Sequence, residues 1–232
     1  VGCEFDPVHY LETLGKYKDS GYEILPVSEY FKTSGEKILL LRHDVDFSLE
    51  YAYRMASMER SLGHRSTYYI LLHSPHFNPL SARNIGLIQD IHGMGHEIGL
   101  HVDSRTSLMV DTWILSEIIG EAVKSYGRHY VTITPEFSVP GLINSSDPQL
   151  IGTKYISDSG RHWRERCFCK HINKQGENKL QVLTHPIWWM SSGKGRWDAI
   201  NRMEDIAHAY VTEATNEYRD ILSKYVIDEN IR

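Results

Sequence analysis

The chain has 232 residues, long for one compact domain and short for two, with 41% hydrophobic and 24% charged residues. That balance is globular and excludes wholesale disorder. Thirty acidic residues against 25 basic ones give a net charge of −5, which argues against a nucleic-acid binder relying on bulk positive charge. No apolar run approaches the roughly 20 residues of a membrane span. Val1–Asp6 lacks a basic-then-apolar signal pattern. Cys3, Cys167 and Cys169 are too few for a disulfide framework, and no second cysteine pair completes a structural zinc site with Cys167-x-Cys169. These features predict free thiols and a cytoplasmic location. The unusual counts are 13 histidines, 14 tyrosines and five tryptophans, a composition suited to a polar, aromatic-lined site.

In chain order, Pro7–Lys18 spaces Val8, Leu11 and Leu14 at helical intervals. Lys37–Arg42 is a short continuous apolar run, as expected of a strand buried on both faces, and leads into His43-Asp44-Val45-Asp46. Ser48–Leu62 reads as a helix stopped by Gly63, Ser66–Leu72 as a strand, Asn84–Gly93 as a helix and Glu97–His101 as a third strand. Thr112–Tyr126 has one apolar side and reads as a helix. Tyr130–Ile133, Tyr155–Ser157 and Leu180–Leu183 are further short strands, and Trp197–Tyr225 is a charged amphipathic helix. Alternating strands and helices predict an α/β fold with a mainly parallel sheet. With no repeat, low-complexity tract or linker, residues 1–232 are expected to form a single domain. In such folds the chemistry lies just beyond the carboxyl ends of the strands.

After the first of these strands, Asp44 and Asp46 share a face while Val45 points away. Two adjacent carboxylates repel unless a cation or shared proton relieves them. Asp46 or Ser48 could cap the next helix, but capping explains one acid, not a pair beside a histidine. After the third, Glu97, Gly99, His101 and Asp103 share a face, offering imidazole and carboxylate to a divalent ion. His96 points the other way, into packing or a backbone hydrogen bond. In Leu180–Trp189, His185 follows an apolar strand, Pro186 fixes a turn, and Trp188 and Trp189 offer flat surface for a sugar ring. Tyr155–Glu165 is a polar stretch around Trp163.

Together HDVD, GHEIGLHVD, YISDS with WRE, and LTHPIWW resemble the NodB-type polysaccharide deacetylases, of the carbohydrate esterase family 4 kind. The similarity is closest to the small deacetylase-like branch of bacterial surface-polysaccharide biosynthesis and runs from Leu39 to Trp189. It implies a distorted, incomplete (β/α) barrel with a divalent metal, zinc being the ion expected, at its mouth. By position it makes Asp44 the catalytic base, Asp46 and His101 metal ligands, and His185 the general acid. Arg105 stands where the family keeps a second metal histidine, so strand geometry nominates Asp103 as the third ligand. No Arg-x-Pro motif is recognisable in Ile133–Pro140, which leaves Arg42 and Arg164 as candidates to orient the base. Trp163, Arg164 and Trp188 are expected to frame the substrate.

The resemblance thus predicts a metal-dependent hydrolase removing an N-acetyl group from an amino sugar or polysaccharide precursor. It predicts an N-acetylated sugar as partner, with no nucleic acid and no membrane span. Two alternatives stand beside it. Arg105 would repel a cation and suit an anion, as in a degraded, carbohydrate-binding relative. An amidohydrolase acting on a small non-sugar amide is the other; the aromatic His185–Trp189 segment favours sugars.

Overall fold

In the computed structural model, which describes residues 3–104, 106–129, 141–151, 154–191 and 194–229, every registered strand pair is parallel. The elements are α1 (Pro7–Asp19), β1 (Glu23–Leu25), β2 (Ile38–Val45), α2 (Leu49–Ser61), β3 (Thr67–Ile70), α3 (Ala82–Gly93), β4 (Glu97–Val102) and α4 (Leu108–Ile119). They continue with β5 (Ser125–Arg128), β6 (Ile143–Asn144), α5 (Pro148–Ile151), β7 (Lys154–Ser157), β8 (Lys179–Thr184), α6 (Pro186–Met190) and α7 (Arg196–Glu229). The sheet runs β6-β5-β4-β3-β2-β8-β7, with β1 paired to the start of β2. Among the described residues β6 and β7 do not pair, so the sheet curls into an incomplete (β/α) barrel, as the sequence predicts.

One expected helix is shorter than its apolar pattern. Thr112–Tyr126 contains the end of α4, but the helix stops at Gly120, whose φ of 72° is left-handed and whose N–H donates to Ser116. That stop frees Ser125–Arg128 to become β5 beside β4. The predicted strand Tyr130–Ile133 lies outside the described residues.

The alternation of β2 separates two interiors. Ile38 and Leu40 join Leu25, Val27, Tyr69 and Leu150 inside the barrel. Leu39 and Leu41 face α1 and α6 with Tyr10, Met55 and Trp189, and Val45 faces α2 and α3. Arg42 and Asp44 therefore point into the barrel and His43 points out. Gly99 has a packing reason: a Cβ there would fall 2.4 Å from the Tyr69 ring and 2.9 Å from the Ser125 carbonyl. The ring is itself held, its hydroxyl 3.0 Å from Ser125 Oγ and the Arg42 guanidinium 4.8 Å above it.

On the outer face a buried carboxylate ties strands to helices. Glu59 of α2 accepts hydrogen bonds from Tyr10, from Ser66 Oγ at 2.6 Å and from Tyr68 at 3.0 Å, and lies 2.9 Å from His43 Nε2. His96 donates from Nε2 to the Ala56 carbonyl and accepts the Ser66 N–H at Nδ1, the backbone-bonding role expected of it. Burial would raise the Glu59 pKa, but His43 outweighs it and holds the group at about 2. At the far end, α7 rests on the core through Ala199, Met203 and Ile206 and through an Arg83–Glu213 pair at 2.7 Å. Among the described residues no helix is long and apolar enough to cross a membrane.

Glu59→Ala strands a histidine and three hydroxyls in the core, and is expected to lower unfolding free energy by about 3–5 kcal/mol, read from urea denaturation. Because the folded pKa lies below the ordinary carboxylate value, this contribution is complete above pH 4.5 and is lost as pH falls toward about 2. The variant should therefore show a shallower acid limb of stability than the parent.

Candidate active site

The carboxyl ends of β2, β4, β5, β7 and β8 deliver the polar residues of the barrel mouth. Ser48, not Asp46, caps α2, its Oγ accepting from Tyr51 N–H, and Asp46 is left for the mouth. Its Oδ1 lies 3.1 Å from His101 Nε2 and 3.2 Å from His129 Nδ1, and the two nitrogens are 3.0 Å apart. His101 Nδ1–H donates to the Gly127 carbonyl at 3.2 Å. This fixes the tautomer and leaves Nε2 with its lone pair toward Asp46.

With His101 Nε2 carrying its lone pair, a proton on His129 Nδ1 can satisfy only one of the other two atoms, and Asp46 Oδ1 is buried without a bonding partner. One ion about 2.0–2.2 Å from each atom satisfies all three, because tetrahedral ligands at that range are about 3.3–3.6 Å apart and octahedral neighbours about 2.8–3.1 Å. The residues present fit a divalent metal: Asp46, His101 and His129 would hold it, and Asp46 and His129 also line the adjoining cleft.

His129 is the residue that sequence reasoning missed. It follows β5 directly, its N–H extending the ladder to the Val102 carbonyl at 2.8 Å. A stop at Gly120, followed by the strand-end rule, would have pointed to it. Asp103, nominated as third ligand, is buried at the rim and is not part of the triangle. β4 ends at Val102, the alternation fails there, and Asp103 N–H turns to Thr106 Oγ1 at 2.9 Å while its carboxylate accepts from the same hydroxyl. Arg105 lies outside the described residues.

Asp44 faces the triangle, its Oδ2 3.7 Å from His101 Nε2. Arg42 Nη2 donates to both its oxygens, at 2.9 and 3.1 Å, and Nη1 donates to Ser145 Oγ. Of the two arginines considered for orienting the base, Arg42 is therefore in place and Arg164 is exposed. His185 lies across the mouth, Nε2 3.7 Å from Asp46 Oδ2. Its Nδ1 donates to Asp158 Oδ1 at 2.6 Å, and Asp158 Oδ2 accepts the His185 N–H and the Trp189 indole N–H.

Electrostatics follow the geometry. Burial would raise the Asp46 pKa, but the imidazoles of His101 and His129 hold it far below the usual range. Burial disfavours charge on His101, yet Asp44 and Asp46 raise its pKa. Burial likewise opposes charge on His185, while Asp158 pushes it up to about 9.

The tryptophans expected to frame a substrate are packed among other side chains. Pro186 opens α6, which carries Trp189 into the core and leaves Trp188 only 5% exposed, behind Phe47. Trp163 stacks on Phe5, away from the mouth. The aromatic lining the cleft of about 360 Å³ beside Asp46 and His129 is Phe47, with His76 4.8 Å away.

No protein-family model matches the chain, and no curated protein does. It is similar to solved structures. A family 4 carbohydrate esterase from Bacillus anthracis shares 12% identity over 84% of this chain and 85% of that one, with a TM-score of 0.42. The peptidoglycan deacetylase PdaC from Bacillus subtilis shares 11% over 83% and 98%, with a TM-score of 0.45. The Streptococcus pyogenes deacetylase PplD shares 13% over 53% of this chain, which spans 64% of its length, with a TM-score of 0.42. The likeness is one of fold.

A manganese titration followed by electron paramagnetic resonance checks the ligand set, since Mn²⁺ favours oxygen and nitrogen donors over thiolates. One ion per chain is expected to bind the parent and Asp103→Asn, and none to bind His101→Ala or His129→Ala at the same concentration.

Proposed function

We propose that this chain is a metal-dependent hydrolase that removes the acetyl group from an N-acetylated amino sugar or its polysaccharide precursor. The reading rests on one observation: the Asp46–His101–His129 triangle, with edges of 3.0–3.2 Å, flanked by an arginine-held carboxylate and a carboxylate-held imidazole. A divalent ion in that triangle, zinc by its donor set, supplies the charge that polarises an amide carbonyl and lowers the pKa of water from about 16 to roughly 7.

The chain's own residues do the rest. Asp44 takes the proton of the attacking water, its carboxylate held in line by Arg42. His185 enters the reaction protonated, because Asp158 stabilises its charge. From its Nε2 it delivers a proton to the departing amine, which is a poor leaving group without one. Asp158 also accepts the Trp189 indole N–H, so the core fixes the direction in which His185 points. Phe47 offers an apolar face at the rim against which a sugar ring can stack.

Acetate release from N-acetylated sugars and their nucleotide conjugates, with and without added zinc, tests the reading. Asp44→Asn should lower kcat by about 10²–10⁴-fold with manganese binding unchanged; near-normal turnover by this variant would refute the assignment of the base.

The pH profile tests the acid. An acid must be protonated, so activity falls as pH rises past the His185 pKa, and Asp158 extends the active range upward. Asp158→Asn is expected to move the basic limb of the kcat profile toward acid. An unmoved limb would show that His185 is not the titrating donor.

A further inference from the structure

The three cysteines of the chain, with no sequence spacing to connect the first to the other two, converge on one place together with a histidine. Cys3 Sγ lies 3.3 Å from Cys169 Sγ, and His9 Nε2 lies 3.4 Å from Cys167 Sγ. All four donor atoms are within 4.8 Å of one another. They come from three segments: the arm before α1, the first turn of α1, and the 3-10 turn Phe168–Lys170 that Cys167 precedes.

We propose that Cys3, His9, Cys167 and Cys169 form a structural zinc site, separate from the barrel mouth. A tetrahedral zinc with Zn–S near 2.3 Å and Zn–N of about 2.0–2.1 Å has S–S edges of about 3.8 Å and S–N edges of about 3.5 Å. The two observed contacts are close to these values, and small side-chain rotations bring four atoms already within 4.8 Å onto them. A disulfide explains the cluster less well, since it would use two sulfurs and leave the third cysteine and the imidazole gathered for no purpose. Three soft thiolates and an imidazole with no open position select zinc, and differ in kind from the carboxylate and imidazoles of the mouth.

The surroundings are those of a structural site. His9 is set by the helix cap, its N–H donating to Asp6 Oδ1 at 2.9 Å, and its ring stacks on Trp189 at 6.3 Å. Cys167 and the adjoining Phe168 are buried in the core that contains Trp189. The ion would pin the N-terminal arm and α1 to the turn after β7, behind the wall of Phe5, Trp163, Phe168 and Trp189. This proposal does not depend on the deacetylase reading.

The test uses the full chain carrying Asp46→Ala and His129→Ala, which empty the mouth, purified under reducing conditions and analysed for metal. One zinc per chain is expected to remain. Replacement by cobalt should give intense near-ultraviolet thiolate-to-metal absorption together with the visible bands of a tetrahedral ion. Adding Cys3→Ser, a near-isosteric change at a partly exposed residue, should weaken zinc retention and reduce the thiolate absorption. Absence of zinc, cobalt binding without thiolate absorption, or a disulfide detected by mass in the protein as isolated would each overturn the proposal.

Discussion

Everything at the mouth of the barrel depends on one buried carboxylate. Asp46 is withdrawn from water, and its Oδ1 faces two imidazole nitrogens from two other strands. Around it, three carboxylates (Asp44, Asp46 and Asp158) are matched by one guanidinium, Arg42, and one imidazolium, His185. The raised pKa of His101 is how such a site expresses a shortage of positive charge: a proton takes the place a cation would fill. A divalent ion would satisfy the shortage and leave free the His101 lone pair, which the hydrogen bond to the Gly127 carbonyl orients.

The barrel supplies the positions through register. His101 stands opposite Gly127 and Val102 opposite Arg128, so His129 continues the ladder one step beyond the end of β4. Gly127 must be small for the same reason as Gly99. A Cβ there would lie 2.9 Å from both Arg42 Nη2 and the Tyr69 ring, and Arg42 is the group that holds Asp44. Alternation along β2 also explains why His43, although beside Asp44 in sequence, takes no part. It belongs to the Glu59 network on the outer face, so the three polar residues of HDVD serve two separate polar systems while Val45 packs in the apolar core.

What could be read in the sequence follows the reach of local rules. Asp44 is legible from alternation because it lies within β2, and Asp46, one residue past the end of that strand, still reaches the mouth. Asp103, likewise one residue past its strand, turns to Thr106 and lies outside the triangle. His129 is concealed in the sequence because the apolar pattern continues past Gly120, where the helix in fact stops ahead of the following strand. The tandem tryptophans suggest a platform if Pro186 only makes a turn, but proline at a first helical position starts α6 and turns both rings inward. The convergence of Cys3 with Cys169 had no local signature at all; only the topology brings them together.

Trp189 joins these separate parts. Its indole N–H is committed to Asp158, and its ring touches Phe5, His9 and Phe168. Any displacement of the wall formed by the N-terminal arm and α1 thus reaches Asp158 through a single hydrogen bond, and reaches His185 through the next. A general acid is effective only where its proton is aimed, so on the proposed reading of His185 a zinc ion pinning that wall would act across the core, at the mouth. The long aromatic layer between α1 and β8 is accordingly more than apolar filling. It is the support that keeps a buried Asp158–His185 pair, costly to desolvate and easily misdirected, in one orientation.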